Sequence, residues 1–310
     1  MSRLVMTLQK SVVAFFALLP ALIFGSAVKE ANPQPQTQPL LPPALAYELT
    51  DPNGKTHYLV GTIHARRPDD SSLPDFITRL LNQVDVVCVE VQVEEATAAQ
   101  LFSLVQRYAV QRGEKSLREL LGEEDTKRLT ERINRLGGSF TQVQGFQPWF
   151  VEMILTNRIL QEVGLTSQTG VDVLLIRETK QLQKKVVGLE TLSEQFESLA
   201  SLSLEAQLRS LKKGLSQWDF DKQKLLDIIS AYQRQDAALI LKIIQESFDQ
   251  ESEFFLKLLE ERNNRLFQRF LNETRTSTSV LVAVGAAHLL GDYSLARLAQ
   301  NLGWKVRALP

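Results

Sequence analysis

What most limits the fold of this chain is the placement of its short β-branched runs and what ends them. Residues 57–63, 85–91, 185–189 and 279–284 are brief apolar stretches rich in valine, isoleucine and leucine. Between them lie segments with apolar residues at helical spacing, over 74–83, 95–111, 122–136, 149–163 and 170–181. Strands that alternate with helices build a mostly parallel sheet with both faces covered, so the expected class is α/β. The first strand is the exception. Residues 46–50 turn back onto 57–63 through Asp51-Pro52-Asn53-Gly54, where Asn-Gly supplies the positive-φ positions of a hairpin turn. The span 203–274, rich in Leu, Gln, Lys and Glu, is read as two or three amphipathic helices forming an added subdomain or lid.

The strand ends carry the chemistry. Leu59-Val60-Gly61-Thr62-Ile63-His64 and Val282-Ala283-Val284-Gly285-Ala286-Ala287-His288 share one pattern: apolar strand, glycine, two small or apolar residues, histidine. The chain has only 3 histidines, so finding two in one context is informative. Val86-Val87-Cys88-Val89-Glu90 and Val186-Val187-Gly188-Leu189-Glu190 end in acids instead. A carboxylate directly after a buried run is costly unless it is paired, hydrogen-bonded or bound to a cation. Strand ends of an open α/β sheet face the crevice where ligands bind. His64, Glu90, Glu190 and His288 are therefore expected to converge on one divalent metal. A cation held there with an open position would activate water and polarise a carbonyl, which is hydrolysis without a protein nucleophile.

Each residue also has a plainer reading. A single strand-end histidine or glutamate is more often a hydrogen-bonded structural residue than a ligand. The repeated Gly-x-x-His context lifts His64 and His288 above that background. Glu190 fits equally well as an acid in the first turn of a helix opened by Glu190-Thr191-Leu192-Ser193. Arg262 and Asn263 belong either to a solvated helix face or to a clamp on a substrate carboxylate. His57 is expected on the surface at the hairpin entry. Trp149, Trp218 and Trp304 read as core anchors, and Cys88 as a small core residue.

Composition narrows the classes further. With 310 residues and 44% hydrophobic content the chain can bury one sizeable core. A formal net charge of -1 offers no pull toward nucleic acid. One cysteine excludes an internal disulfide and a Cys-based zinc site. There is no H-E-x-x-H helix, G-x-S-x-G elbow or P-loop. Arg3 and Lys10 precede an apolar stretch over 11–28 that ends in Gly25, Ser26 and Ala27, the order of a secretory signal over 1–27. An uncleaved N-terminal anchor through 11–28 is the alternative. A linker rich in Pro and Gln follows over 28–43, and the folded domain over 44–310. Both readings place the domain outside the cytoplasm, periplasmic or secreted, and the anchor would tether it to a membrane.

These motifs, taken in order, resemble the TraB/GumN (TraB/PrgY/GumN, Tiki-like) family. The likeness rests on Gly61-Thr62-Ile63-His64, Val87-Cys88-Val89-Glu90, Gln147-Pro148-Trp149, Gly170-Val171-Asp172, Gly188-Leu189-Glu190-Thr191, Glu261-Arg262-Asn263, and Val284-Gly285-Ala286-Ala287-His288-Leu289-Leu290-Gly291. The resemblance implies an architecture like erythromycin esterase and the haem-binding ChaN-like proteins. It also implies a metallopeptidase-like hydrolase dependent on Mn2+ or Co2+, with Zn2+ as the alternative, acting on a peptide or protein substrate. His64, Glu90 and His288 would be the metal residues, and Arg262 and Asn263 supporting or substrate-orienting groups. Relatives commonly carry an acid shortly after the strand-end glutamate, where this chain has Val91-Gln92-Val93. Glu94, Glu95 and Glu190 remain as candidate general bases. A non-catalytic metal-, haem- or peptide-binding protein, or an esterase, are the competing functions.

Overall fold

The structure is a computed structural model and describes residues 41–92, 96–135, 137–247 and 252–310. The expected leader, most of the linker, and Glu94 and Glu95 lie outside the described residues. Among the described residues no helix is long and apolar enough to cross a membrane.

Six strands form one sheet in the order β4-β3-β5-β2-β1-β6: β1 Ala46–Thr50, β2 Thr56–Thr62, β3 Val86–Val89, β4 Lys185–Gly188, β5 Val280–Gly285 and β6 Lys305–Ala308. β4, β3, β5 and β2 run parallel, while β1 is antiparallel to both β2 and β6. The sheet is thus the α/β arrangement expected, with the predicted hairpin at β1 and β2. β6 was not anticipated: its Lys305-Val306-Arg307-Ala308 alternation is half charged, as suits an exposed sheet edge.

The strands sort their residues between two layers with a period of two. Val60, Val87, Val89, Leu281 and Ala283 join the larger core, under helices that include Pro148–Glu162 and Leu192–Ala200. Leu59, Val86, Cys88, Val280, Val282 and Val284 join the opposite core with Leu266, Phe267 and Phe270. Both faces of β3 and β5 are buried, which is why those strands read as unbroken apolar runs.

The span 203–274 differs from expectation. It holds helices Leu204–Ser216, Trp218–Gln233 and Ala237–Ser247, then a longer helical stretch ending in Glu261–Thr276. That last helix is no part of a lid. Leu266, Phe267 and Phe270 pin it to the sheet, each contributing roughly 1.5–3 kcal/mol of burial. His57 is also corrected. It is fully buried, 5.8 Å from the Phe270 ring and 5.6 Å from Trp304, because its place on β2 turns it into the second core. Trp149, Trp218 and Trp304 are buried as anchors, with Pro148 in the first turn of its helix.

Candidate active site at the ends of the parallel strands

The register of β5 with its two neighbours decides what can meet. Thr62 lies opposite Gly285 on one side, and Val89 opposite Ala283 on the other. His64, two residues beyond Thr62, and Glu90, one beyond Val89, therefore leave their strands on either side of Gly285. His288 returns to the same point from the single 3-10 turn Ala286–Leu289. A Cβ on Gly285 would stand 3.3 Å from Glu90 Oε1, 3.3 Å from His64 Nε2 and 3.8 Å from His288 Cδ2. Gly285 is the floor on which the three side chains gather, and any larger residue would push them apart. Gly285→Ala is expected to leave the fold intact but cost about 1–3 kcal/mol of stability, as overpacking does. Urea unfolding would measure this, and a variant as stable as the parent would show that the floor has room.

Each imidazole is held by its Nδ1. His64 Nδ1 lies 3.0 Å from Asp172 Oδ2, and Asp172 sits in the first turn of helix Val171–Gln181. That helix starts against the end of β2, where Val171 N–H donates to the Ile63 carbonyl at 2.8 Å. A Cβ on Gly170 would stand 2.7 Å from the His64 carbonyl oxygen, so only glycine permits this approach. His288 Nδ1 donates to Asn263 Oδ1 at 2.5 Å, while Asn263 Nδ2 donates to the Tyr293 carbonyl at 2.7 Å. The amide is thereby oriented with its oxygen toward the ring. In the neutral form of either ring the proton sits on Nδ1 and the Nε2 lone pair faces the cluster. His64 Nε2 is buried and has no hydrogen-bond partner among the described residues.

Glu90 is gripped from two directions. Its Oε1 accepts from Gly285 N–H at 2.6 Å and its Oε2 from Arg262 Nη2 at 2.9 Å. His288 Nε2 stands 3.7 Å from Oε1, too far for a hydrogen bond. Arg262 reaches further, to Glu190, with Nη2 to Oε2 at 2.7 Å and Nε to both carboxylate oxygens. Arg265 Nη2 adds a contact at 3.5 Å to Glu190 Oε1, and Gln195 Nε2 donates to Oε2 at 3.4 Å. Glu190 thus joins the site through Arg262 rather than by facing the imidazoles. The acid in the first turn of helix Leu192–Ala200 is Glu194, in a capping box with Thr191, so the helix-opening role read for Glu190 belongs to its neighbour. Arg262 is buried, which removes the solvated-face reading.

These contacts set the charges. Burial alone would raise the Glu90 carboxyl, but His288, Arg262 and His64 beside it and the Gly285 N–H hold it at about 2, so it is a carboxylate. Burial lowers His288 to about 4 against the opposing pull of Glu90, which leaves a neutral ring. For His64 burial also pushes down, but the Asp172 carboxylate outweighs it and the net direction is upward. Cys88 is buried inside β3 and its thiol is pushed up to about 12 by desolvation, as fits a core residue and not a nucleophile.

Of the residues singled out in the sequence, Glu90, His288, Arg262, Asn263 and Glu190 are linked by contacts, and His64 gathers beside them around Gly285. Asp172 was not among them, and neither was Gly285 as a floor. Asp172 had a signal, as the acid two residues after Gly170 where a helix begins, but an acid in a first turn is ordinary.

The comparisons agree with this placement of motifs. A family model described as TraB/PrgY/gumN family matches residues 45–308. The uncharacterized proteins YbaP of Escherichia coli (strain K12) and of Shigella flexneri are each 26% identical over 259 residues, which covers 82% of this chain and 91% of theirs. No solved structure matches the chain. The family match spans β1 to β6 and every residue of the network just described, so the chain belongs to the TraB/PrgY/gumN family.

Proposed function

We propose that this chain is a metal-dependent hydrolase, a peptidase that acts on an extracytoplasmic peptide or protein. The observation that carries the reading is the pair of imidazoles, fixed through Nδ1 by Asp172 and Asn263, that gather with the Glu90 carboxylate around Gly285. Among the described residues no three His, Cys, Asp or Glu side chains already stand in metal-holding geometry. The fit is one of donor chemistry: two neutral-capable nitrogens, one of them an orphaned buried atom, beside an ionised oxygen. A divalent cation held by His64, Glu90 and His288, Mn2+ or Co2+ with Zn2+ as the alternative, would supply water of lowered pKa and polarise a carbonyl.

The chain's own groups then have distinct tasks. Asp172 and Asn263 orient the two rings, and Arg262 keeps Glu90 ionised and in place. Glu190, with both oxygens engaged by Arg262, balances that guanidinium inside the core and is not assigned the role of general base. The extracytoplasmic setting rests on the signal-like residues 1–27, with the anchor through 11–28 as the tethered form.

His64→Ala is expected to lower turnover by at least about a thousandfold, in the manner of a lost catalytic group, with an unfolding transition close to that of the parent. Peptide and ester substrates assayed beside each other, with Mn2+ or Co2+ added and then chelated, make the test. Turnover of esters alone would move the reading to an esterase. Binding of metal, haem or peptide with no turnover under any metal would make it a binding protein.

A further inference from the structure

We infer that Tyr232 is a positioning residue for the site: its hydroxyl, delivered by helix Trp218–Gln233, fixes Gly61 and through it the spacing of His64 and His288. This rests on the metal-site reading above. The hydroxyl donates to the Gly61 carbonyl at 2.8 Å, across 171 residues of chain. Gly61 is the glycine of the first Gly-x-x-His motif, so whatever holds its peptide group acts three residues before His64.

The strand puts that carbonyl where a donor has to come from elsewhere in the fold. The β1–β2 ladder ends with Ala46 opposite Val60, and Gly61 lies one residue beyond it. Its N–H still reaches the Leu45 carbonyl at 2.8 Å, while Tyr232 supplies the donor for its oxygen. A backbone carbonyl buried without a donor costs free energy comparable to a lost hydrogen bond. Tyr232 sits in the larger core in the last turn of its helix, and Trp218, Leu225 and Ile229 anchor the same helix there. Burial pushes the Tyr232 phenol well above its ordinary value, so it stays a donor.

Both imidazoles depend on where Gly61 lies. Along the chain it leads through Thr62 and Ile63 to His64. Across the sheet it pairs with Val284, and Thr62 pairs with Gly285. A Cβ on Gly61 would stand 3.1 Å from Ala286 Cα and 3.2 Å from Ala286 Cβ, so the strand and the 3-10 turn Ala286–Leu289 that carries His288 are in close contact at this glycine. The first Gly-x-x-His motif thus rests directly on the second. Without the hydroxyl, the Gly61 peptide is free to turn toward another donor. In a close-packed interior such a shift is passed on to neighbours rather than absorbed, and the neighbours here are the segments that end in His64 and His288.

The test compares the full chain with its Tyr232→Phe variant, which keeps the ring in the core and removes only the hydroxyl. The chain has 3 histidines, so labelling them with 15N gives three sets of ring signals, assigned by replacing each histidine with glutamine in turn. With chelator present, Tyr232→Phe is expected to move the ring signals of both His64 and His288. Those of His57, near the start of β2 and packed on Phe270 and Trp304, should stay in place. Titrated with Co2+, the variant should bind about tenfold more weakly than the parent, the low end of the roughly 10–100-fold usual when a group supporting a metal ligand is lost. A His64 or His288 ring that does not move, a His57 ring that moves as far, or Co2+ bound as tightly by the variant as by the parent would overturn the inference and leave Tyr232 as a strand cap. A parent that binds no Co2+ would instead overturn the metal-site reading, and the cation-free spectra alone would then decide whether Tyr232 positions the two rings.

Discussion

Replacing Arg262 with methionine should lower the unfolding free energy by about 3–5 kcal/mol at neutral pH, the usual cost of leaving buried charge without its partner. The guanidinium lies between the Glu90 and Glu190 carboxylates, and all three groups are buried. Methionine matches much of the apolar length but answers neither charge. Glu90 would keep only the Gly285 N–H and the nearby His288, and Glu190 the partly exposed Arg265 and Gln195. The loss should shrink in acid, where the orphaned carboxylates take up protons. It should also shrink in the double variant Glu190→Gln/Arg262→Met, which removes one charge of each sign. Urea unfolding at pH 7 and pH 4, with chelator present so that no cation stands in for the arginine, gives the comparison. A loss below about 1 kcal/mol at pH 7 would mean that the triad is far better solvated than its burial indicates.

The second large effect lies away from the site, where the helices Pro148–Glu162 and Leu204–Ser216 meet. Ser210 Oγ lies 2.6 Å from both oxygens of the buried Glu152 side chain. The Ser210 hydroxyl donates to this carboxyl, but burial disfavours its charged form more strongly. Burial raises it from 4.5 to about 8, against the hydrogen bond from Ser210. Between those values the folded chain keeps a proton that the unfolded chain has lost, so stability falls as pH rises. The contribution is complete below about 4.5 and gone once pH has passed about 8. Glu152→Gln removes this titration and should leave the protein more stable than the parent above pH 8, by on the order of 3–5 kcal/mol. Asp221, raised by burial to about 7, and Lys213, lowered by burial to about 8, titrate in the same window and feel the Glu152 charge or act on it. The difference between the two unfolding curves, measured in urea from pH 5 to pH 9, therefore reads Glu152 together with its coupling to these two groups. Parallel curves over that range would mean that the carboxyl titrates as it does in water.

The residues that pass through one strand and end it were readable in order along the chain. An apolar run buried on both faces excludes polar residues for its whole length, so the first charged or imidazole group after it marks the sheet edge. His64, Glu90 and His288 stood out for that reason, and so did the glycine before each histidine. Helix starts such as Pro148 were equally local. Glu190 showed the limit of this reasoning: the same position after a strand suited a ligand or a helix start, and its contacts with Arg262 made it neither.

The sequence alone determined that four apolar strands alternate with helices and that two imidazoles and two acids follow directly after them. The tertiary structure alone decided which groups those residues touch. Arg262 lies 172 residues along the chain from Glu90, and Asp172 lies 108 from His64. Strand register and helix docking place them, and no periodicity in the chain encodes either. His57 was misread and β6 missed for the same cause: burial is a property of what packs on a residue, and that arrives from elsewhere in the chain.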